Sequence, residues 1–109
     1  MARIRIIYNN IIPLPGFKAI NLFGVLFVRK GCVLSDVDIN HEAIHTEQMK
    51  ELNYIFFYLW YLIEWVVRLF MDGNAYRNIS FEQEAYDNQN YLEYLKKRPS
   101  YAWFDYYDV

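Results

Sequence analysis

Apolar residues fall in short strand-like runs broken by proline and glycine along the first third of the chain and then recur with helical spacing along much of the rest. The run "RIRIIY" (Arg3 to Tyr8) begins with polar/apolar alternation and predicts a strand. "NNIIPLPG" follows, and its two prolines and glycine predict a loop. "AINLFGVLFVRKGCVL" is rich in β-branched and aromatic residues. It predicts a hairpin made of a strand, a turn at Arg29-Lys30-Gly31 and a short return strand. Cys32 then falls at a strand end as a small apolar residue.

From Ser35 onward the period is helical. "SDVD" matches a capping box, with Asp36 and Asp38 at the positive end of the helix dipole, and the helix is expected to reach about Asn53. "YIFFYLWYLIEWVVRLFM" (Tyr54 to Met71) is apolar over eighteen residues, the short end for a bilayer span, and it contains Glu64 and Arg68 at a spacing that allows pairing. Tyr54, Tyr58, Tyr61, Trp65 and Arg68 form a stripe at helical spacing, read as the face that tolerates water. A buried or homodimer-interface helix is the favoured expectation, ahead of peripheral membrane contact and well ahead of a span. "DGNAYRN" predicts a turn. The last long helix begins near Ser80, with Ser80 and Gln83 as a second capping box. Phe81, Ala85, Leu92 and Leu95 lie on its apolar face, and Pro99 stops it. The aromatic tail "SYAWFDYYDV" is expected to pack back on the body.

Composition narrows the class. The chain has 109 residues, one domain's length, with 55 % apolar and 20 % aromatic residues. Eleven of the aromatics are tyrosines, which suit half-wet cores and clefts because each keeps a polar tip. A net charge of −2, with lysine and arginine scattered, argues against a nucleic-acid partner held by a basic stripe. A single cysteine excludes an intrachain disulfide and suits a reducing compartment, so a cytoplasmic location is expected, with membrane association as the second reading. The N-terminus has no continuous apolar run ending in a small-residue cleavage site, so no signal peptide is expected.

The candidate chemistry lies in "INHEAIHTEQ". Both histidines of the chain fall there, His41 and His45, four residues apart around Glu42. Residues four apart on an α-helix lie one turn up and about 40° around, so two imidazoles can reach one Zn2+ ion. Glu42 projects from the same side and is placed to take a proton from a metal-held water, the role of a general base. A third ligand is required and no histidine remains, so it must be a carboxylate. The best candidates are Glu82 and Glu84 in "SFEQEAYDN"; two residues apart, they point to nearly opposite sides of a helix. Periodicity leans to Glu84, which lies nearer the centre of the Phe81/Ala85 face. Whichever of the two is not a ligand is expected to behave as an ordinary surface residue. Gln48, one turn beyond His45, is either a partner of the site or an exposed helix glutamine, and the second is favoured. Tyr54, Tyr58 and Tyr61 are expected to pack rather than to line a cleft.

"HEAIH" followed by "EQEAY" resembles the gluzincin zinc metallopeptidases, especially the H-E-x-x-H … E-x-x-A-D pattern of CAAX-type and related membrane-associated proteases. The chain also looks like a compact bacterial family with an HExxH … FExEAY pattern. The motif resemblance covers residues 36–53 and 80–95. It implies His41 and His45 as zinc ligands, Glu42 as catalytic base and Glu82, three before Ala85, as third ligand. Tyr86 falls where that pattern has an aspartate, and is implied as an assisting catalytic group. The "NLFGVLFV" strand would bind substrate backbone beside the active helix. The fold class expected is therefore α+β: one zincin-like domain over residues 1–109, with an N-terminal β-hairpin or small sheet packed on two to three helices. The function expected is zinc-dependent hydrolysis of a peptide or protein substrate. The alternative is a non-catalytic zinc-binding structural or interaction protein at a membrane surface.

Overall fold

The computed structural model describes residues 4–12 and 18–107. The predicted strand start at Arg3, the Pro-Leu-Pro-Gly part of the loop and the last two residues of the aromatic tail lie outside them. The chain is a small α+β domain with a three-stranded sheet and four helices. Strand β1 (Arg5–Asn9) pairs in parallel with β3 (Val25–Arg29), and β2 (Ala19–Leu22) pairs antiparallel with β3, giving the order β1-β3-β2. The central strand alternates as a half-buried strand should, with Leu26 and Val28 fully buried.

The hairpin exists, but its turn is not where the sequence suggested. It falls at Phe23-Gly24, between Leu22 and Val25, and Arg29-Lys30-Gly31 instead ends the sheet. Phe23 and Gly24 both take positive φ, 54° and 89°, as a two-residue turn matching the strand twist requires. Asn21 stabilises it by accepting from the Gly24 N–H through its side chain, and the Phe23 ring rests edge-on against Tyr58 at 5.2 Å. Cys32 lies beyond the end of β3, half-buried, with no return strand.

Helix α1 (Asp36–Glu51) starts at the Ser35–Asp38 capping box. It closes where the Tyr54 N–H reaches back to the Met49 carbonyl at 2.7 Å, with Asn53 in the left-handed conformation. Helix α2 (Ile55–Leu69) follows this corner directly. The tyrosine stripe is inverted relative to expectation. Tyr58, Tyr61 and Glu64 face the body, whereas the aliphatic side of α2 is exposed. Their hydroxyls and carboxylate find partners inside, so the polar-tipped face is the one that packs. Among the described residues no helix is long and apolar enough to cross a membrane.

Helix α3 (Ser80–Asn88) is shorter than its apolar pattern suggests; the predicted helix breaks before a short α4 (Tyr94–Lys97). The cause is Asn40 on α1. Its side-chain amide donates to the carbonyls of Gln89 (2.9 Å) and Tyr91 (3.0 Å), taking the place of the next helical turn. The Asp-Asn-Gln-Asn run there has little helical preference of its own. Leu92 therefore lies off α3, between the two helices.

The second capping box is not formed either. Gln83 turns to the Asn78 carbonyl, and Glu64 of α2 caps α3 from outside. Glu64 accepts from the Ser80 N–H (2.9 Å) and hydroxyl (2.7 Å). This carboxylate inside an apolar helix is thus the anchor that sets the start of α3, two residues before Glu82. Replacing Glu64 with alanine leaves buried donors without a partner and is expected to lower unfolding stability by roughly 2 kcal/mol, measured by urea denaturation. The aromatic core lies beneath: Met49, Phe57, Ile79, Phe81 and Trp103, the last carried by a 3-10 helix at Ala102–Tyr107.

Candidate metal centre

Helix α1 turns an unusually polar face inward: Asn40, His41, His45 and Gln48 are all buried. Both ring nitrogens of each histidine, the Gln48 amide and the Asn40 Nδ2 have hydrogen-bond partners, which makes their burial tolerable, and Asn40 Oδ1 is left without one among the described residues. The four-residue spacing brings the Nε2 atoms of His41 and His45 to 3.2 Å from each other. Glu82, from the first turn of α3, brings its Oε1 to 3.2 Å from His41 Nε2 and 3.1 Å from His45 Nε2. The three atoms form a near-equilateral triangle. Ligands about 2.0 Å from a tetrahedral ion stand about 3.3 Å apart, so the triangle has the edge length that zinc requires.

The outer atoms of these side chains are held as well. His41 Nδ1 meets Gln89 Oε1 at 2.7 Å, and His45 Nδ1 meets Gln48 Oε1 at 2.7 Å. An amide oxygen only accepts, so both Nδ1 atoms carry the proton and both Nε2 atoms are left able to bind an ion. The Gln48 amide is itself oriented: its Nε2 donates to the Phe81 carbonyl (3.0 Å) and to Glu84 (2.9 Å). Tyr61 donates to the second oxygen of Glu82 at 2.7 Å, leaving Oε1 to face the histidines. The donor set, the tautomers and the spacing all suit a zinc ion.

Charge in the site is concentrated. Burial disfavours a charged His45, but the Glu82 carboxylate beside it, with Glu42 beyond, outweighs this and holds its pKa up at about 10, so an ion that took Nε2 would have to displace a second proton from the ring. Burial pushes Glu82 up while the two histidines and Tyr61 pull it down, and the result is well below the usual carboxylate range. Burial, then the Glu82 charge, raises both Tyr61 and Tyr76 well above the ordinary phenol value, so both hydroxyls stay protonated donors.

A cleft of about 500 Å³ opens beside the cluster. Its polar wall is Glu42, His45, Tyr76 and Glu82, and its apolar wall is Ile20, Leu22, Met49, Phe57, Tyr58 and Tyr61. Tyr58 and Tyr61 were expected to pack only, yet both line this cleft. Gln48 is fully buried against His45 rather than exposed on the helix.

Glu84 is turned elsewhere. Fully buried, it accepts from Arg98 Nε (2.5 Å), Tyr94 (2.8 Å) and Gln48, and Arg98 also makes a two-pronged bond to Glu51. Tyr86 lies edge-on against the His41 ring at 4.6 Å, with Arg77 over its face at 3.8 Å. Its hydroxyl meets that of Tyr76 at 3.3 Å, and it is Tyr76, unmarked by any motif, that reaches the cleft. Gln89 also went unnoticed in the sequence, because only the helix break at Asn88 brings it to His41.

Comparison of the chain with known protein families, with curated proteins and with solved structures finds no match. The functional reading therefore rests on the geometry.

Proposed function

We propose that this chain is a small zinc-dependent hydrolase of peptide bonds, of the zincin type that its HExxH … ExxA pattern resembles. The observation that carries the reading is the triangle of His41 Nε2, His45 Nε2 and Glu82 Oε1, opening on a cleft that also holds Glu42. Three protein ligands, with His45 and Glu82 among them lining a cleft, are what a catalytic zinc site has, whereas a purely structural one is closed by four.

Zinc, when bound by His41, His45 and Glu82, supplies Lewis acidity that polarises a carbonyl and makes water acidic. The rest falls to the side chains. Glu42 is the general base: it takes a proton from the attacking water and returns it to the leaving amine. Tyr76, kept protonated beside Glu82, is a hydrogen-bond donor to the carbonyl oxygen as negative charge grows there, the role first assigned to Tyr86. Tyr61 and the two glutamines hold the ligands in orientation.

The substrate backbone is expected along the outer edge of β2, whose residues Ala19 to Leu22 line the cleft. Tyr58 occupies part of that edge, donating to the Asn21 carbonyl (3.1 Å) and accepting from the Phe23 N–H (2.9 Å). An extended peptide is therefore left the Ala19 end.

Metal analysis with a peptide-library digest tests the reading. Purified protein reconstituted with zinc is expected to hold about one ion per chain and to cleave within the library. Stoichiometric zinc without cleavage of any peptide would favour the structural alternative. Failure to bind zinc would remove both.

A further inference from the structure

The register of β2 fixes which of its backbone groups a peptide in the cleft can reach. The Arg29 N–H bonds to the Lys18 carbonyl (3.1 Å), and two residues on, Ile20 stands opposite Phe27 and Leu22 opposite Val25. In an antiparallel ladder every second residue belongs to a hydrogen-bonded pair, so Lys18, Ile20 and Leu22 direct their backbone groups at β3. Ala19 and Asn21, between them, turn theirs to the outer edge, and both residues line the cleft.

At that edge the Tyr58 hydroxyl does what a residue of an added strand would do. It donates to the Asn21 carbonyl (3.1 Å) and accepts from the Phe23 N–H (2.9 Å). A residue of a parallel strand makes the same pair of bonds, and a residue of an antiparallel one needs the same Asn21 carbonyl. The ring is held in place edge-on by Phe23 at 5.2 Å and by Phe57 at 5.3 Å. Burial raises the Tyr58 phenol above its ordinary pKa, so the hydroxyl keeps its proton and stays a donor.

We propose that Tyr58 is a specificity-determining residue that ends the substrate strand at Asn21. A bound peptide pairs with β2 through the Ala19 N–H and carbonyl and the Asn21 N–H, and past these it must end or turn away. The stop falls beside the proposed base. The Asn21 side chain donates to the Glu42 carbonyl (3.0 Å) and to Thr46 (3.1 Å), while Lys18 reaches Asp38, one turn earlier on α1, at 2.9 Å. Strand β2 thus runs along α1 in the same direction, with its open Ala19 end toward the start of that helix. One arm of the peptide can follow β2 from Glu42 toward Ala19; the other has no edge to follow. The cleft therefore suits a peptide cut close to one end or at a bend, and not one stretched straight through. This inference rests on the peptide-hydrolase reading, which supplies the peptide.

Peptide titrations followed by amide NMR test it, on the full chain carrying Glu42→Gln with zinc added, so that peptides bind and are not cut. The probe is acetyl-Phe-amide, whose ring suits the apolar wall, extended by one to three alanines at either end. Saturable shifts are expected at the Ala19 and Asn21 amides. Extension at the end that runs to Ala19 should tighten binding, and extension at the other should change it less than about twofold. With Tyr58→Phe added, extension at that second end should tighten binding roughly fivefold, as one freed pair of backbone bonds allows. A tyrosine that merely stapled the turn would shift all the peptides alike when replaced. Shifts at neither amide overturn the proposal, as does tightening at both ends while Tyr58 is present, or an unchanged length dependence with Tyr58→Phe. The first two results need no change at Tyr58, so they decide even where Tyr58→Phe fails to fold. Metal analysis reads the zinc separately. Edge binding without zinc would remove the hydrolase reading and keep Tyr58 as the end of the strand, and zinc without edge binding would do the reverse.

Discussion

Glu42→Gln is expected to abolish peptide hydrolysis while the protein still binds zinc. Glu42 shares the cleft with His45 and Glu82 but lies outside the triangle of ligand atoms. The amide keeps the size of the side chain and cannot take a proton, so the loss should be in kcat, roughly 10²–10⁴-fold. Zinc affinity should change little, because the Nδ1 atoms of both histidines and Oε2 of Glu82 keep the partners that orient the ligand atoms. The measurement pairs competition against a chelator with turnover of a peptide found in the library. Turnover at the parent rate would leave the proposed mechanism without its base. Loss of zinc together with turnover would make Glu42 part of the metal site instead.

The two-helix plan of the site was legible because its signals are local. A histidine pair at helical spacing and a capping box lie within eleven residues, and neither depends on the rest of the chain. What was not legible depends on tertiary partners. Glu64 reads as a charge that breaks an apolar helix, yet it is the cap of another helix. Asn40 carries no signal of its own in the sequence, yet it ends α3 by capturing the carbonyls beyond it. The apolar spacing of Leu92 and Leu95 continued the pattern past that point, so periodicity overshot the true helix end.

The inverted α2 has the same origin. Hydropathy ranks tyrosine and glutamate as surface residues, and that ranking holds only where the interior has no polar groups to meet them. Here the interior contains Glu82, the Asn21 carbonyl and the start of α3, so the polar-tipped face goes inward. Aliphatic residues are left outside. The hairpin was misplaced for a simpler reason: Phe at positive φ is not a turn signal, whereas Arg-Lys-Gly is.

Glu82→Ala and Glu84→Ala are expected to fail in different ways, and the contrast is the strongest test of the centre. Glu82→Ala removes one corner of the triangle, and zinc affinity should fall more than roughly 100-fold, beyond what loss of a supporting residue costs. Glu84 is no ordinary surface residue, against the sequence-based expectation. It is 0 % exposed and is bonded to Arg98, Tyr94 and Gln48. Glu84→Ala leaves a buried guanidinium short of a partner and should cost about 3–5 kcal/mol of stability, a large share of what a domain of this size has. Its effect on zinc reaches the site only through the Gln48 amide and His45, so in protein that is still folded the loss should stay within about tenfold. Urea denaturation and zinc titration of both variants separate the two effects. A Glu84→Ala protein of unchanged stability that no longer bound zinc would assign the third ligand to Glu84, and a Glu82→Ala protein of parental affinity would empty the triangle of its meaning.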